Sequence, residues 1–267
     1  MQNFLEPNGE FVVFGDPKQN IYNRPLDSNN DIRLGVIGGE WNRQLNTGLR
    51  FTNPRLAQLA TSFQSTFFPH LTKVNSELTI KEAPSIFRVV TYFDMRSDNS
   101  INNLVTKIID IIQNDNNEVR DFVVLGSTIN LLRSIDYNYR EKTKKKTEVT
   151  FVSSERYNRL KEIHKVADDD VASWKFKRDY DSLERTRKML FTTDKRCLKI
   201  STIQSFKGWE SPSVIVILED NYLPKDTGFT PMSPENIYTA ITRARENLYI
   251  VNIGNDYYDY FFKTQSL

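Results

Sequence analysis

Cysteine occurs once in the 267 residues, as Cys197, so no disulfide can form within the chain. Such a chain suits a reducing, cytoplasmic setting. Histidine is nearly as scarce, with only His70 and His164. This inventory argues against a Cys/His zinc site and leaves little material for a Ser-His-Asp triad. Apolar runs are short, none near the ~20 residues that span a bilayer, so no membrane partner is expected. The opening MQNFLEPNGE has no basic segment followed by an apolar one, so no signal peptide is expected either. Charge of one sign is also in short supply. Thirty-six Lys and Arg against 34 Asp and Glu leave a net charge of +2, too mild to indicate nucleic-acid binding by itself.

What is present is an alternation. The stretches 11–14, 86–92, 121–126, 149–152, 198–203, 213–218 and 248–253 are short, apolar and rich in Val and Ile. Most lack clean alternation of apolar and polar residues, as expected of strands covered on both faces. Between them, 53–67 begins with Asn53 as a cap and Pro54 at the first helical position. The stretch 101–115 places Leu104, Ile108, Ile109, Ile111 and Ile112 at helical spacing, and 233–246 opens with Ser233 and Pro234. Strands alternating with helices predict an α/β fold with a mainly parallel sheet. The polar stretch 139–195 reads as a small, mostly helical insertion beside the sheet. Its basic residues cluster, in Lys142, Lys144, Lys145 and Lys146 and again in Lys175, Lys177, Arg178, Arg185, Arg187 and Lys188. Runs of this kind are usually solvated faces.

Four stretches carry candidate chemistry, each at the end of a strand or the start of a helix. In GDPKQNIY (15–22), the Gln19 amide suits a phosphate or its attacking water, and Tyr22 offers a face for stacking a base. In LNTGLRFTNPRLAQLA (45–60), Arg50 precedes a helix and can make a bidentate contact with phosphate. In LKISTIQSFKGWESPSVIVIL (198–218), Gly208 lets backbone approach a ligand and Glu210 can accept from a sugar hydroxyl. In ENIYTAITRARENLYIV (235–251), a helix through Thr242 to Arg245 would set Arg243 and Arg245 about 200° apart, one toward a site and one elsewhere. Ligand sites in open α/β sheets form at the carboxyl ends of strands. The loops after 11–14 and 198–203, Arg50 and the helix at 233–246 are therefore expected to converge on one edge.

In this order the four stretches resemble motifs III, IV, V and VI of superfamily 1 helicases of the UvrD/Rep type. GDPKQNIY is similar to GDxxQxIY, LNTGLR stands where the family has LxxNYR, STIQSFKGWE is similar to TxHxxKGxE, and IYTAITRAR resembles YVAxTRA. The resemblance spans residues 11 to about 252. It implies a RecA-like fold, ATP held between two RecA-like domains, and single-stranded DNA crossing their top. Gln19, Arg50 and Arg243 would then act on the γ-phosphate. Gly208 and Glu210 would line the nucleotide, and Tyr22, Thr128, Gln204 and Ser205 would face the DNA strand. Gln204 stands where the family often has histidine. An arginine supplied by one domain to a phosphate held by another makes hydrolysis depend on closure.

The chain also departs from the pattern. Gly48-Leu49 replaces the usual Asn-Tyr before Arg50, and Asn23-Arg24-Pro25 replaces the aromatic-Arg run after motif III. No GxxxxGK[ST] and no acidic pair of the DExx kind occurs. The expectation is a C-terminal portion of an ATP-dependent DNA helicase of DNA repair type. Residues 1–40 would end the first RecA-like domain and 41–267 would form the second. The ATP and Mg2+ would be held by the remainder of the first domain in the full-length chain, leaving this portion inactive alone. A non-catalytic RecA-like module for nucleic-acid or protein binding is the alternative. Upf1-like and RecD-like branches tend to have Leu-Pro where this chain has Asn20-Ile21-Tyr22, which favours the UvrD/Rep branch and 3′-to-5′ movement.

Overall fold

The computed structural model describes residues 53–69, 90–166, 173–220 and 232–266. Gln19, Tyr22, Arg50, the stretch 11–14 and the division at residue 40 lie outside the described residues. Among the described residues six strands form one sheet: β1 (Thr91–Asp94), β2 (Phe122–Gly126), β3 (Thr147–Val149), β4 (Leu198–Thr202), β5 (Ser211–Leu218) and β6 (Ala244–Asn252). Their order is β1-β6-β5-β2-β4-β3, and every pairing is parallel. The mainly parallel α/β fold expected from the alternation is the fold found. Helices α1 (Pro54–Phe67), α2 (Ile101–Asn114), α3 (Ile129–Thr143), α4 (Ser154–His164), α5 (Trp174–Leu190), α6 (Pro234–Ile241) and α7 (Asp259–Gln265) accompany it among the described residues.

The central strands are covered on both faces, which explains their unbroken apolar runs. Successive residues serve opposite layers. Val123 and Leu125 of β2, with Val214, Val216 and Leu218 of β5, join a core with α1, α6 and α7. Phe122, Val124, Ile215 and Ile217 join a second core with α2 and α3. In α2 the buried residues are Leu104, Val105, Ile108 and Ile111, one stripe of the helix, and Ser100 caps its start by accepting from the Asn103 amide at 3.3 Å. Asn53 caps α1 in the same way, accepting from the Arg55 amide at 3.1 Å.

Several boundaries depart from the sequence expectation, among them the strand expected at 248–253, which is Ala244–Asn252. The strand expected at 149–152 is Thr147–Val149. Beyond Val149 the backbone leaves the ladder, and the Val152 carbonyl accepts instead from Arg133 Nε at 2.8 Å. The fifth strand begins at Ser211 rather than at residue 213. Pro212, which has no N–H for the ladder, sits where the register between β5 and β6 shifts. The helix expected over 233–246 ends at Ile241. The Arg243 amide donates to the Ala240 carbonyl at 3.1 Å, closing a tight turn, and Ala244 already pairs with Ser211. Sheet pairing overrides the helical pattern there, so Arg243 lies on a turn and Arg245 on a strand.

The stretch 139–195 contributes the edge strand β3 as well as α4 and α5. Arg133 of α3 holds the helix pair. Its Nη2 donates to the Tyr180 hydroxyl at 2.8 Å, and its guanidinium lies 4.1 Å from the centre of the Tyr157 ring. Phe176 packs edge-on to Tyr157 and stacks with Tyr180.

Candidate functional site

The turn that links β4 to β5 crosses one face of β2. It leaves the sheet where Thr202 lies level with Gly126 and rejoins it at Ser211. Two buried side chains, Ile203 and Phe206, anchor it in the core. Its backbone is pinned by Ile203 N to Gly126 O at 3.0 Å, Phe206 N to Thr202 O at 3.0 Å and Trp209 N to Phe206 O at 3.0 Å. Thr202 adds a local lock: its hydroxyl accepts from the Ser205 amide at 3.2 Å and donates to Ser205 Oγ at 2.9 Å. The anchors face inward, so Gln204 and Ser205 are half-exposed and Lys207, Gly208, Trp209 and Glu210 are exposed.

Gly208 has φ +95°, in the left-handed region. A Cβ placed on it would meet no atom within 4 Å. Backbone conformation, not crowding, selects glycine at this position. Trp209 follows, with its ring edge-on to Phe191 at 5.8 Å between centres and 40% exposed. Trp209 stands inside the STIQSFKGWE stretch without a role in the motif. An aromatic between a φ-positive glycine and a carboxylate was the available signal.

Arg243 is buried, at 2% exposure. Its Nε donates to the Thr239 carbonyl at 3.0 Å, Nη1 to the Trp209 carbonyl at 3.2 Å and Nη2 to Thr242 Oγ1 at 3.0 Å. Its own carbonyl accepts from the Ser211 amide at 3.0 Å. One residue thus ties the turn holding Gly208 and Glu210 to the last turn of α6. Arg245 is exposed on β6, and its carbonyl accepts from the Asn53 amide at 3.0 Å. Asn53 also donates its side-chain amide to the Glu246 carbonyl at 2.9 Å, which seats the start of α1 on the start of β6.

Thr128 lies at the carboxyl end of β2, as the cap residue of α3. Its hydroxyl donates to Glu219 Oε2 at 2.5 Å, while Glu219 Oε1 accepts from the amides of Ser127 at 2.6 Å and Thr128 at 3.0 Å. Glu219 is buried just past β5. It neutralises the donor-rich start of α3, the place where an anion would otherwise be favoured. Sequence reasoning missed Glu219; its signal was a carboxylate directly after the long apolar strand SVIVIL.

The expected residues form two sets rather than one. Thr128, Gln204 and Ser205 sit past the carboxyl ends of β2 and β4. Gly208, Glu210 and Arg243 sit before the amino ends of β5 and β6. The expectation of a single carboxyl edge is corrected in this respect. The turn after β4 is the reason: it runs back across the sheet within eight residues, carrying its second half to the opposite edge. The exposed backbone at Gly208 and the Glu210 carboxylate suit a phosphate and a sugar hydroxyl respectively, while the buried Arg243 guanidinium donates to Thr239, Trp209 and Thr242. For a metal the material is thinner. Among the described residues no group of three or more His, Cys, Asp or Glu could hold a metal ion. No helix among them is long and apolar enough to cross a membrane.

Comparison with known proteins adds to this geometry. The family model described as viral superfamily 1 RNA helicase core domain matches residues 110–252. That interval runs from α2 to the end of β6 and includes Thr128, the whole turn after β4 and Arg243. No curated protein matches the chain. Among solved structures, the C-terminal domain of a possible DNA helicase from Lactobacillus plantarum WCFS1 is similar with a TM-score of 0.41 and 12% identity, over 78% of this chain and 89% of that one.

Proposed function

Since the chain belongs to the superfamily 1 helicase family whose core-domain model it matches, we propose that it is the C-terminal RecA-like part of an ATP-dependent helicase. In this reading it moves 3′ to 5′ on single-stranded DNA and unwinds duplex ahead of it. ATP and Mg2+ are held by the first RecA-like domain, with Gln19, Arg50 and Arg243 acting on the γ-phosphate. Gly208 and Glu210 border the nucleotide, and Tyr22, Thr128, Gln204 and Ser205 face the strand. The isolated chain, without a P-loop lysine, does not turn ATP over. One observation carries the reading: Arg243 joins the turn of Gly208 and Glu210 to α6 through the Trp209 carbonyl. A single residue therefore holds the third and fourth stretches together on one edge, as a shared nucleotide surface requires.

A second reading replaces DNA by RNA, and the description of the matching family, an RNA helicase core, is what favours it. The test is an unwinding assay on the polypeptide that joins this chain to a P-loop domain. Duplexes with a 3′ or a 5′ single-stranded tail are offered, each as DNA and as RNA. Unwinding of the 3′-tailed DNA duplex is expected. Unwinding confined to RNA would select the second reading, and confinement to 5′ tails would overturn the polarity.

A further inference from the structure

The basic run Lys142 to Lys146 has no part in either set of site residues. The structure divides it. Lys142 Nζ donates to the Asn102 carbonyl at 2.9 Å and to Thr106 Oγ1 at 2.8 Å, tying α3 to α2. Lys144 caps α3 in the left-handed conformation and pairs with Glu141 at 3.0 Å. Lys145 and Lys146 remain, with no side-chain hydrogen bond or ion pair among the described residues. The same division recurs before β4: Lys195 pairs with Glu148 at 2.7 Å, and its neighbour Arg196 has no such partner among the described residues.

These three leftover cations line one cavity of about 190 Å³, together with Val119, Cys197 and Leu198. No carboxylate lines it. The cavity lies at the amino ends of β2, β3 and β4, the edge opposite Thr128, Gln204 and Ser205. Three like charges drawn to one concavity repel each other, and an anion of charge two or more reverses that repulsion. A guanidinium fork beside two ammonium groups matches the tetrahedral oxygens of a phosphate better than the two oxygens of a carboxylate. We propose that the cavity bounded by Lys145, Lys146 and Arg196 is a binding site for a phosphate group, on the edge opposite Thr128, Gln204 and Ser205 and sharing no lining residue with Gly208, Glu210 or Arg243. The phosphate belongs either to a small molecule or to a nucleic-acid backbone. The proposal does not rest on the helicase reading.

Cys197 makes the site directly measurable, because it is the only cysteine, forms part of the cavity wall and is partly exposed. Burial pushes its thiol up, as does the neighbouring Glu148. Alkylation by iodoacetamide is therefore followed on the full chain at about pH 8.5, near the ordinary thiol range. With inorganic phosphate at about ten times its dissociation constant, the rate falls about tenfold by mass action. Sodium chloride of equal ionic strength leaves the rate unchanged. The exposed triple variant Lys145→Gln, Lys146→Gln, Arg196→Gln loses the protection. The wild-type comparison of phosphate with chloride stands even if that variant misfolds. Equal rates in phosphate and chloride would overturn the proposal, as would protection that survives in a folded triple variant. A single-stranded oligonucleotide without a terminal phosphate identifies the source. Protection at far lower concentration than inorganic phosphate assigns the site to a nucleic-acid backbone, and weaker protection assigns it to a small phosphate.

Discussion

Gly208 is the residue whose identity follows most directly from local geometry. Its φ of +95° suits glycine, and the space around it would take a methyl group. Gly208→Ala should therefore destabilise the fold by roughly 1–2 kcal/mol through backbone strain alone. Urea denaturation checks this, and an unchanged midpoint would show that the turn relaxes at no cost. Glu219 is the opposite case, a residue fully occupied by its neighbours. It accepts three hydrogen bonds from Ser127 and Thr128. Glu219→Gln sets an amide NH2 against N–H or O–H donors, and a loss of about 1–3 kcal/mol is expected in the same measurement. Gly208 was singled out in the sequence as a place where backbone can approach a ligand, and its left-handed φ is the conformational reason for glycine there. The burial of Arg243 was not legible, because a motif names a residue type and its spacing but leaves out the carbonyls of Thr239 and Trp209 that surround the guanidinium.

Among the elements, the apolar runs were read well and the polar joints poorly. The buried stripe of α2 and the strands at 122–126 and 198–202 follow from side chains alone, through periodicity and burial. The end of α6 does not. A helical pattern continues past Ile241, and only pairing of Ala244 with Ser211 converts the next residues into strand. That partner is 33 residues away in sequence, beyond any local signal. The attachment of α4 and α5 is likewise non-local, resting on Arg133 with Tyr157, Tyr180 and the Val152 carbonyl. Arg133→Met keeps bulk and removes every donor, and should cost about 2 kcal/mol or more. Amide hydrogen exchange should accelerate across 154–164 and 174–190 while β2, β4 and β5 stay protected. Uniform acceleration would instead mean that the helix pair unfolds only with the sheet.

At the scale of the whole molecule, the ion pairs give a pH dependence of known sign. A hydrogen bond from Arg96 holds the Asp94 carboxyl well below the usual carboxylate range, with burial opposing it more weakly. The folded form then binds fewer protons than the unfolded one near pH 4. The contribution is present above the ordinary carboxylate value, about 3.9, and is lost as pH falls toward the depressed value. Asp94→Asn should flatten the decline of Tm between about pH 5 and pH 2. A variant with the parental slope would remove Asp94 from the account.

The two-sided arrangement of site residues was only half legible: the motifs named the residues, and the return of the chain across β2 separated them. Arg243 is where the third and fourth stretches meet, which makes it the sharpest test. ATP turnover and single-stranded nucleic-acid affinity at one stated salt concentration should be measured for Arg243→Lys and Arg245→Lys in the polypeptide that includes the P-loop domain. Lysine keeps the charge and loses the planar fork. Arginines of this role contribute about 10³–10⁵ in rate in other phosphoryl-transfer enzymes, so Arg243→Lys should cut turnover at least about a hundredfold with affinity nearly unchanged. Arg245, exposed on β6, should tolerate the change. The reverse ranking, or a fall in affinity equal to the fall in turnover, would contradict the phosphate role of Arg243.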